Sequence, residues 1–235
     1  TPKTSSAASD VYKRQELKCV PWLLKENGLE NLKINKKKFI YLISPNKIPN
    51  SFYNNLKLVL KTGKVSFFQL RLKNYSLKKK IIIGKKIKNI CKKNKVKFII
   101  NDDPLLALKL DADGCHLGQK DMNIKAAKKI LGKKIIGITC HNSMILAKKA
   151  IKAKADYIAF GAFNQSKTKK TKYVASVNIL NKVKKFTKTP TVAIGGINAV
   201  NYKNLLLNNA NFLAISGYIW KNKKYKPLQA IERLK

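Results

Sequence analysis

From Lys38 onward the chain repeats one pattern eight times: a short run of β-branched or aromatic residues, then a longer segment whose apolar residues recur every three or four positions. The short runs predict strands over 39–43, 65–70, 97–100, 114–117, 135–138, 157–160, 191–194 and 212–215. Helical spacing falls over 77–93, 123–131, 143–153, 177–186 and 199–207, with a closing helix over 227–234. Strands that alternate with helices run parallel and are joined by right-handed crossovers. Eight repeats favour closure into a TIM (β/α)8 barrel over an open doubly wound sheet. A chain of 235 residues with 45% hydrophobic content can fill one such core, so residues 36–235 read as a single barrel domain. Residues 1–35 do not share the pattern. The stretch 1–15 is small and polar without the apolar centre of a signal peptide, and 17–32, with Trp22, Leu23 and Leu24, reads as a short helix outside the barrel.

In barrels of this kind the chemistry sits where the strands end, at their carboxyl side. The unusual polar residues fall there. Gln69, Arg71 and Lys73 follow strand two; Asn101, Asp102 and Asp103 follow strand three; His116, Gln119 and Asp121 follow strand four. Thr139 and His141 follow strand five, and Ser166, Thr168 and Lys169 follow strand six. Gly195 and Gly196 follow strand seven, and Ser216 and Gly217 follow strand eight.

Charge narrows the readings. The 51 Lys and Arg against 11 Asp and Glu give a formal net charge of +40, which would attract nucleic acid, anionic lipid or anionic small molecules. The positive residues are spread along the chain, without the concentrated Arg, Lys and aromatic clustering of nucleic-acid modules, so a solvated lysine surface is the reading adopted and no nucleic acid is expected. No apolar run reaches the roughly 18 residues needed to span a bilayer. The four cysteines form no C-x-x-C pair and read as reduced thiols of a cytoplasmic protein. Arg occurs only at Arg14, Arg71 and Arg233, so Arg71 stands out in a chain that otherwise uses Lys. A guanidinium grips phosphate through two parallel hydrogen bonds, which an ammonium cannot do.

Asp102 and Asp121 lie in acidic loops at neighbouring strand ends. Two such carboxylates can hold magnesium, which keeps waters and takes substrate phosphate oxygens for its other positions. Asp103, just before Pro104, reads better as a helix cap. Gln69, Arg71 and Lys73 alternate with apolar residues as a strand end would, which predicts all three on one inward face. Cations beside a magnesium site suit a pyrophosphate, whose departure builds negative charge. The Gly195-Gly196 pair, with Ile215 and Ser216 on the next strand, occupies the place where barrels bind phosphate through backbone N–H groups. Ser166, Thr168 and Lys169 add hydroxyl and ammonium donors. His116 and His141, the two histidines, read equally as proton shuttles or as packed, hydrogen-bonded side chains.

Taken in order, the runs Q-L-R-L-K, I-I-N-D-D, A-D-G-C-H-L-G-Q-K-D-M, I-I-G-I-T-C-H-N, D-Y-I-A-F-G, T-K-K and A-I-G-G-I resemble the thiamine phosphate synthase family over roughly residues 38–219. The resemblance implies coupling of a hydroxymethylpyrimidine pyrophosphate to a thiazole phosphate, with release of pyrophosphate through a dissociative step. It implies magnesium on Asp102 and Asp121, pyrophosphate on Arg71, Lys73, Asn101 and Lys169, and the pyrimidine oriented by Gln69. Arg71, Lys73, Thr139 and Lys169 would serve the chemistry. Ser166, Thr168, Gly196, Ile215 and Ser216 would meet the thiazole phosphate, the last three through backbone. The partners expected are small phosphorylated substrates, and homo-oligomerisation is compatible with the pattern. The chain departs from the family where Thr139 replaces Ser, Leu72 replaces Glu, Ala162 replaces Pro and Asn164-Gln165-Ser166 replaces a Phe-Pro-Thr run. Two rival readings are a thiazole tautomerase-like barrel using His141, and a basic anion binder on an inactive barrel.

Overall fold

The computed structural model describes residues 38–164 and 174–234. Eight strands close into an all-parallel barrel in the order β1 to β8. They are β1 (Ile40–Ile43), β2 (Val65–Leu70), β3 (Lys97–Asn101), β4 (Gly114–Leu117), β5 (Ile135–His141), β6 (Tyr157–Gly161), β7 (Thr191–Ile194) and β8 (Phe212–Ile215). Each strand pairs with the next, and β1 closes on β8 with Tyr41 opposite Ala214. The barrel expectation is met, and every expected strand forms. The one large extension is β5, which runs on to His141 and carries Thr139 within the strand.

The strands are apolar on both sides because both sides are buried. Residues facing the lumen include Tyr41, Phe67, Ile99, Tyr157, Val192 and Phe212, which pack on one another as a separate inner cluster. The alternate residues, such as Leu42, Phe68, Ile100, Ile158 and Leu213, pack outward against the helices. This alternation decides the site: Gln69, His116 and Thr139 occupy lumen-facing positions near the strand ends, where His116 meets Thr139 directly and Gln69 is linked to His116 through Tyr41 and Tyr157.

Outside the barrel lie α1 (Phe52–Lys61), α2 (Leu77–Lys93), α3 (Pro104–Lys109), α4 (Ile124–Leu131), α5 (Met144–Lys152), α6 (Asn178–Lys184), α7 (Tyr202–Leu207), α8 (Gly217–Trp220) and α9 (Pro227–Glu232). Of these, α1, α3 and α8 were not read from the sequence. The spacing of Phe52, Leu56, Val59 and Leu60, all buried, shows that the signal for α1 was there. Asp103 caps α3 by accepting from the Leu106 N–H at 2.9 Å, as expected. The carbonyls at the end of α9 receive the Lys64 ammonium, which donates to Ile231, Glu232 and Leu234 at 3.3, 3.2 and 3.0 Å. A cation at a helix carboxyl end satisfies carbonyls that have no partner within the helix. Among the described residues no helix is long and apolar enough to cross a membrane. The 1–35 segment lies outside the described residues.

Candidate active site

The rim at the carboxyl ends of β2 to β5 gathers the acidic and basic candidates. Asp102 leaves β3 with φ 66°, a left-handed conformation that Asp tolerates better than most side chains. Its N–H donates to the His116 carbonyl at 2.8 Å, which fixes the turn. Its carboxylate is about one-third exposed and lies 3.7 Å from the Lys73 ammonium. Asp121 caps no helix: Asn123 does that for α4, accepting from the Ala126 N–H. Asp121 instead accepts from the Gly118 N–H at 2.7 Å and turns toward Asp102. Burial first, and the Asp121 carboxylate next, push the Asp102 carboxyl above the usual carboxylate range, with Lys73 and Asn101 opposing. Two facing carboxylates, one of them disfavoured as an anion, form a place that a cation would relieve. Among the described residues no three His, Cys, Asp or Glu side chains gather at one point. A cation here would complete its shell with water and substrate oxygens, which is how magnesium is commonly held.

Arg71 and Lys73 lie just beyond β2, which stops at Leu70. Arg71 donates from its guanidinium to Asn46 Oδ1 at 3.2 Å, and its N–H donates to Ser44 Oγ at 2.9 Å. Lys73, at the turn after β2, reaches Asp102. Leu72 is buried in the outer core. It lines, with Lys73, Asn101, Asp102, Leu106 and Met122, a cleft of about 480 Å³ on the β2–β3 side of the rim.

Deeper in the lumen, Gln69 is buried and donates from Nε2 to the Tyr41 hydroxyl at 3.0 Å. The Tyr41 and Tyr157 hydroxyls are 2.7 Å apart. Tyr157 meets His116 Nδ1 at 2.9 Å, and His116 Nε2 meets Thr139 Oγ1 at 2.8 Å. Burial pulls His116 down to about 4, with Asp121 opposing, so the ring is neutral near neutral pH. Of the two readings offered for His116, the packed and hydrogen-bonded one is the arrangement observed. Tyr41 and Tyr157 were missed in the sequence. Aromatic residues in strands read as core, and β1 and β6 are not neighbours in the sheet. One signal was available: Gly137, in the middle of β5, where an added Cβ would come within 1.9 Å of the Tyr157 ring.

On the β6–β8 side the backbone does the shaping. Gly195 and Gly196 have φ of 106° and 61°, which side chains rarely adopt. Added Cβ atoms would meet Ala162 at 2.4 Å and Asn164 at 2.6 Å. The β6 loop is therefore seated on the glycine pair, with the Phe163 and Asn164 N–H groups donating to Ile194 and Gly195 carbonyls. The Gly196 carbonyl accepts from the Asn201 side chain at 2.9 Å. Ser216 begins the short α8, and its hydroxyl donates to the Ser44 carbonyl at 3.2 Å, joining β8 to β1. Ile215 is the last residue of β8 and is buried. Ser166, Thr168 and Lys169 lie outside the described residues.

With this geometry in place, the sequence pattern of the family described as thiamine monophosphate synthase matches residues 40–219. The chain belongs to the thiamine monophosphate synthase family. It is 69% identical over 204 residues, 86% of this chain and 98% of the other, to a thiamine-phosphate synthase of Pelagibacter ubique. It is 38% identical over 196 residues, 81% of this chain and 92% of the other, to one of Erythrobacter litoralis. Among solved structures, a thiamine phosphate pyrophosphorylase from Pyrococcus furiosus superposes with a TM-score of 0.75 at 29% identity, covering 84% of this chain and 94% of that one. Members of this synthase family are transferases, and the polar rim described above falls within the matched span.

Proposed function

We propose that this rim joins a hydroxymethylpyrimidine pyrophosphate to a thiazole phosphate, giving thiamine phosphate and pyrophosphate, with magnesium held by Asp102 and Asp121. The observation that carries the proposal is the pair of facing carboxylates, one pushed above its ordinary range, with Lys73 at 3.7 Å. Bound there, magnesium would neutralise charge on the departing pyrophosphate.

In this proposal the chain's own residues perform three tasks. Lys73, Asn101 and Arg71 bind the pyrophosphate, Arg71 after giving up or sharing its contact with Asn46. Gln69 and Thr139 orient the flat pyrimidine at the lumen mouth, so that the reacting carbon faces the β6–β8 side. Gly196, Ile215 and Ser216 receive the thiazole phosphate through backbone; the family resemblance assigns Ser166 and Thr168 to the same phosphate and Lys169 to the pyrophosphate. In a dissociative reaction the gain comes from holding both partners in line and stabilising the leaving charge. The buried, free thiols of Cys91, Cys115 and Cys140 support the assignment to the cytoplasm.

Purified protein supplied with both substrates should release pyrophosphate in step with thiamine phosphate, and only with magnesium present. Isomerisation of a thiazole substrate without pyrophosphate release would overturn the proposal in favour of the tautomerase-like reading.

A further inference from the structure

Counting protons along the lumen gives its line of five polar side chains a direction. The Gln69 amide nitrogen can only donate, and it stands 3.0 Å from the Tyr41 hydroxyl oxygen. Tyr41 is left with one proton and one near acceptor, the Tyr157 hydroxyl at 2.7 Å. Tyr157 accepts there, so its own proton goes to His116 Nδ1 at 2.9 Å. A ring nitrogen that accepts carries no proton, and a neutral imidazole then holds its proton on Nε2, which faces Thr139 Oγ1 at 2.8 Å. Thr139 accepts in its turn. Its own hydroxyl proton is left for whatever binds above it, and no other side chain among the described residues takes it.

Burial makes the direction hard to lose. Tyr41, Tyr157, Gln69 and His116 are all buried, so a reversed or broken link leaves a donor or acceptor unpaired away from water. The rings are held as well: His116 stacks on Tyr157 with centroids 5.6 Å apart, and Tyr157 lies against Gly137.

We infer that Tyr41 and Tyr157 are positioning residues, which hold His116 with its proton on Nε2 and thereby present Thr139 to the site as a donor, while Gln69, donating its side-chain N–H to Tyr41, keeps its side-chain oxygen as an acceptor. The two ends of the line thus have opposite polarity, and that of the Thr139 end is set by residues that touch no substrate. That both ends face substrate rests on the proposed synthesis; the direction of the line does not.

Two measurements test it. The chain has two histidines, so nitrogen-15 NMR of imidazole-labelled protein, with His141→Gln to assign the signals, reads the His116 tautomer without substrate. The expected spectrum has an unprotonated, hydrogen-bonded Nδ1 and a protonated Nε2. A protonated Nδ1 would overturn the inferred direction. Tyr157→Phe keeps the ring and removes the hydroxyl; it should mix the tautomers and lower kcat/KM about tenfold. The double variant Tyr157→Phe/Thr139→Val should be no slower than Thr139→Val alone, because the relay acts through Thr139. Independent, additive losses would overturn that part. Tyr41→Phe, one link further back, should shift the tautomer in the same way if Tyr157→Phe proves poorly folded. Wild-type protein that makes no thiamine phosphate would overturn the proposed synthesis and leave the tautomer result standing.

Discussion

On the β2–β5 side of the rim, position is held by side chains gripping one another: Lys73 on Asp102, Arg71 on Asn46, His116 on Thr139. On the β6–β8 side it is held by backbone fitted against backbone, with the β6 loop resting on Gly195 and Gly196. The difference suits two tasks. Charge must be placed at defined points where a leaving group departs, and charged side chains can be placed only by partners. A phosphate that stays bound needs a shaped cradle of N–H groups, which glycine permits by letting the chain come close. Substitutions on the two sides should therefore fail differently.

The largest effect is expected from Asp102→Ala or Asp121→Ala, which should lower magnesium-dependent turnover by about a thousandfold or more while the barrel stays folded. Turnover that survives either change would remove that residue from the metal site. Arg71→Lys keeps the charge but loses the paired hydrogen bonds, and should cost roughly ten- to a hundredfold in kcat/KM, seen with the pyrophosphate substrate varied. Gly196→Ala should act on the other side: a Cβ at φ 61°, 2.6 Å from Asn164, would displace the β6 loop. We expect KM for the thiazole phosphate to rise about tenfold, with about 1–2 kcal/mol of stability lost in thermal unfolding. An equal rise in KM for both substrates would break the comparison.

Acid should also separate the sides. Asp102 must be ionised to hold a cation, and its carboxyl is raised above the ordinary value, so protons displace the cation at a higher pH than at a free carboxylate. At limiting magnesium turnover should fall as pH drops and Asp102 takes up a proton, and more magnesium should move the midpoint lower. Binding of the thiazole phosphate should not track this midpoint. The smallest effect on activity is expected far from both sides. Lys64→Met should lower stability by about 1 kcal/mol through the lost contacts to the α9 carbonyls, and leave kcat unchanged.

The barrel was legible because strands buried on both faces must be apolar throughout, and helices covering them must repeat at helical spacing; the eight runs showed both. That Asp102 and Asp121 come together at the rim was legible because acidic residues are scarce in this chain. Arg71 and Lys73 were singled out by residue type; β2 ends at Leu70 as read, and both lie in the segment that follows it. Tyr41 and Tyr157 were invisible. Their hydroxyls meet across the lumen between strands that are not neighbours, a distance of 116 residues along the chain.

Closure of β1 on β8 has a consequence for how the protein is made. During synthesis β1 has only β2 beside it until the residues of β8, 212–215, have emerged. For most of that time an apolar strand carries an open edge, the kind of surface on which chains join one another wrongly. The chain that emerges with that edge carries a large excess of positive charge. In the growing chain it would keep neighbouring copies apart until the last strand arrives to seal the ring.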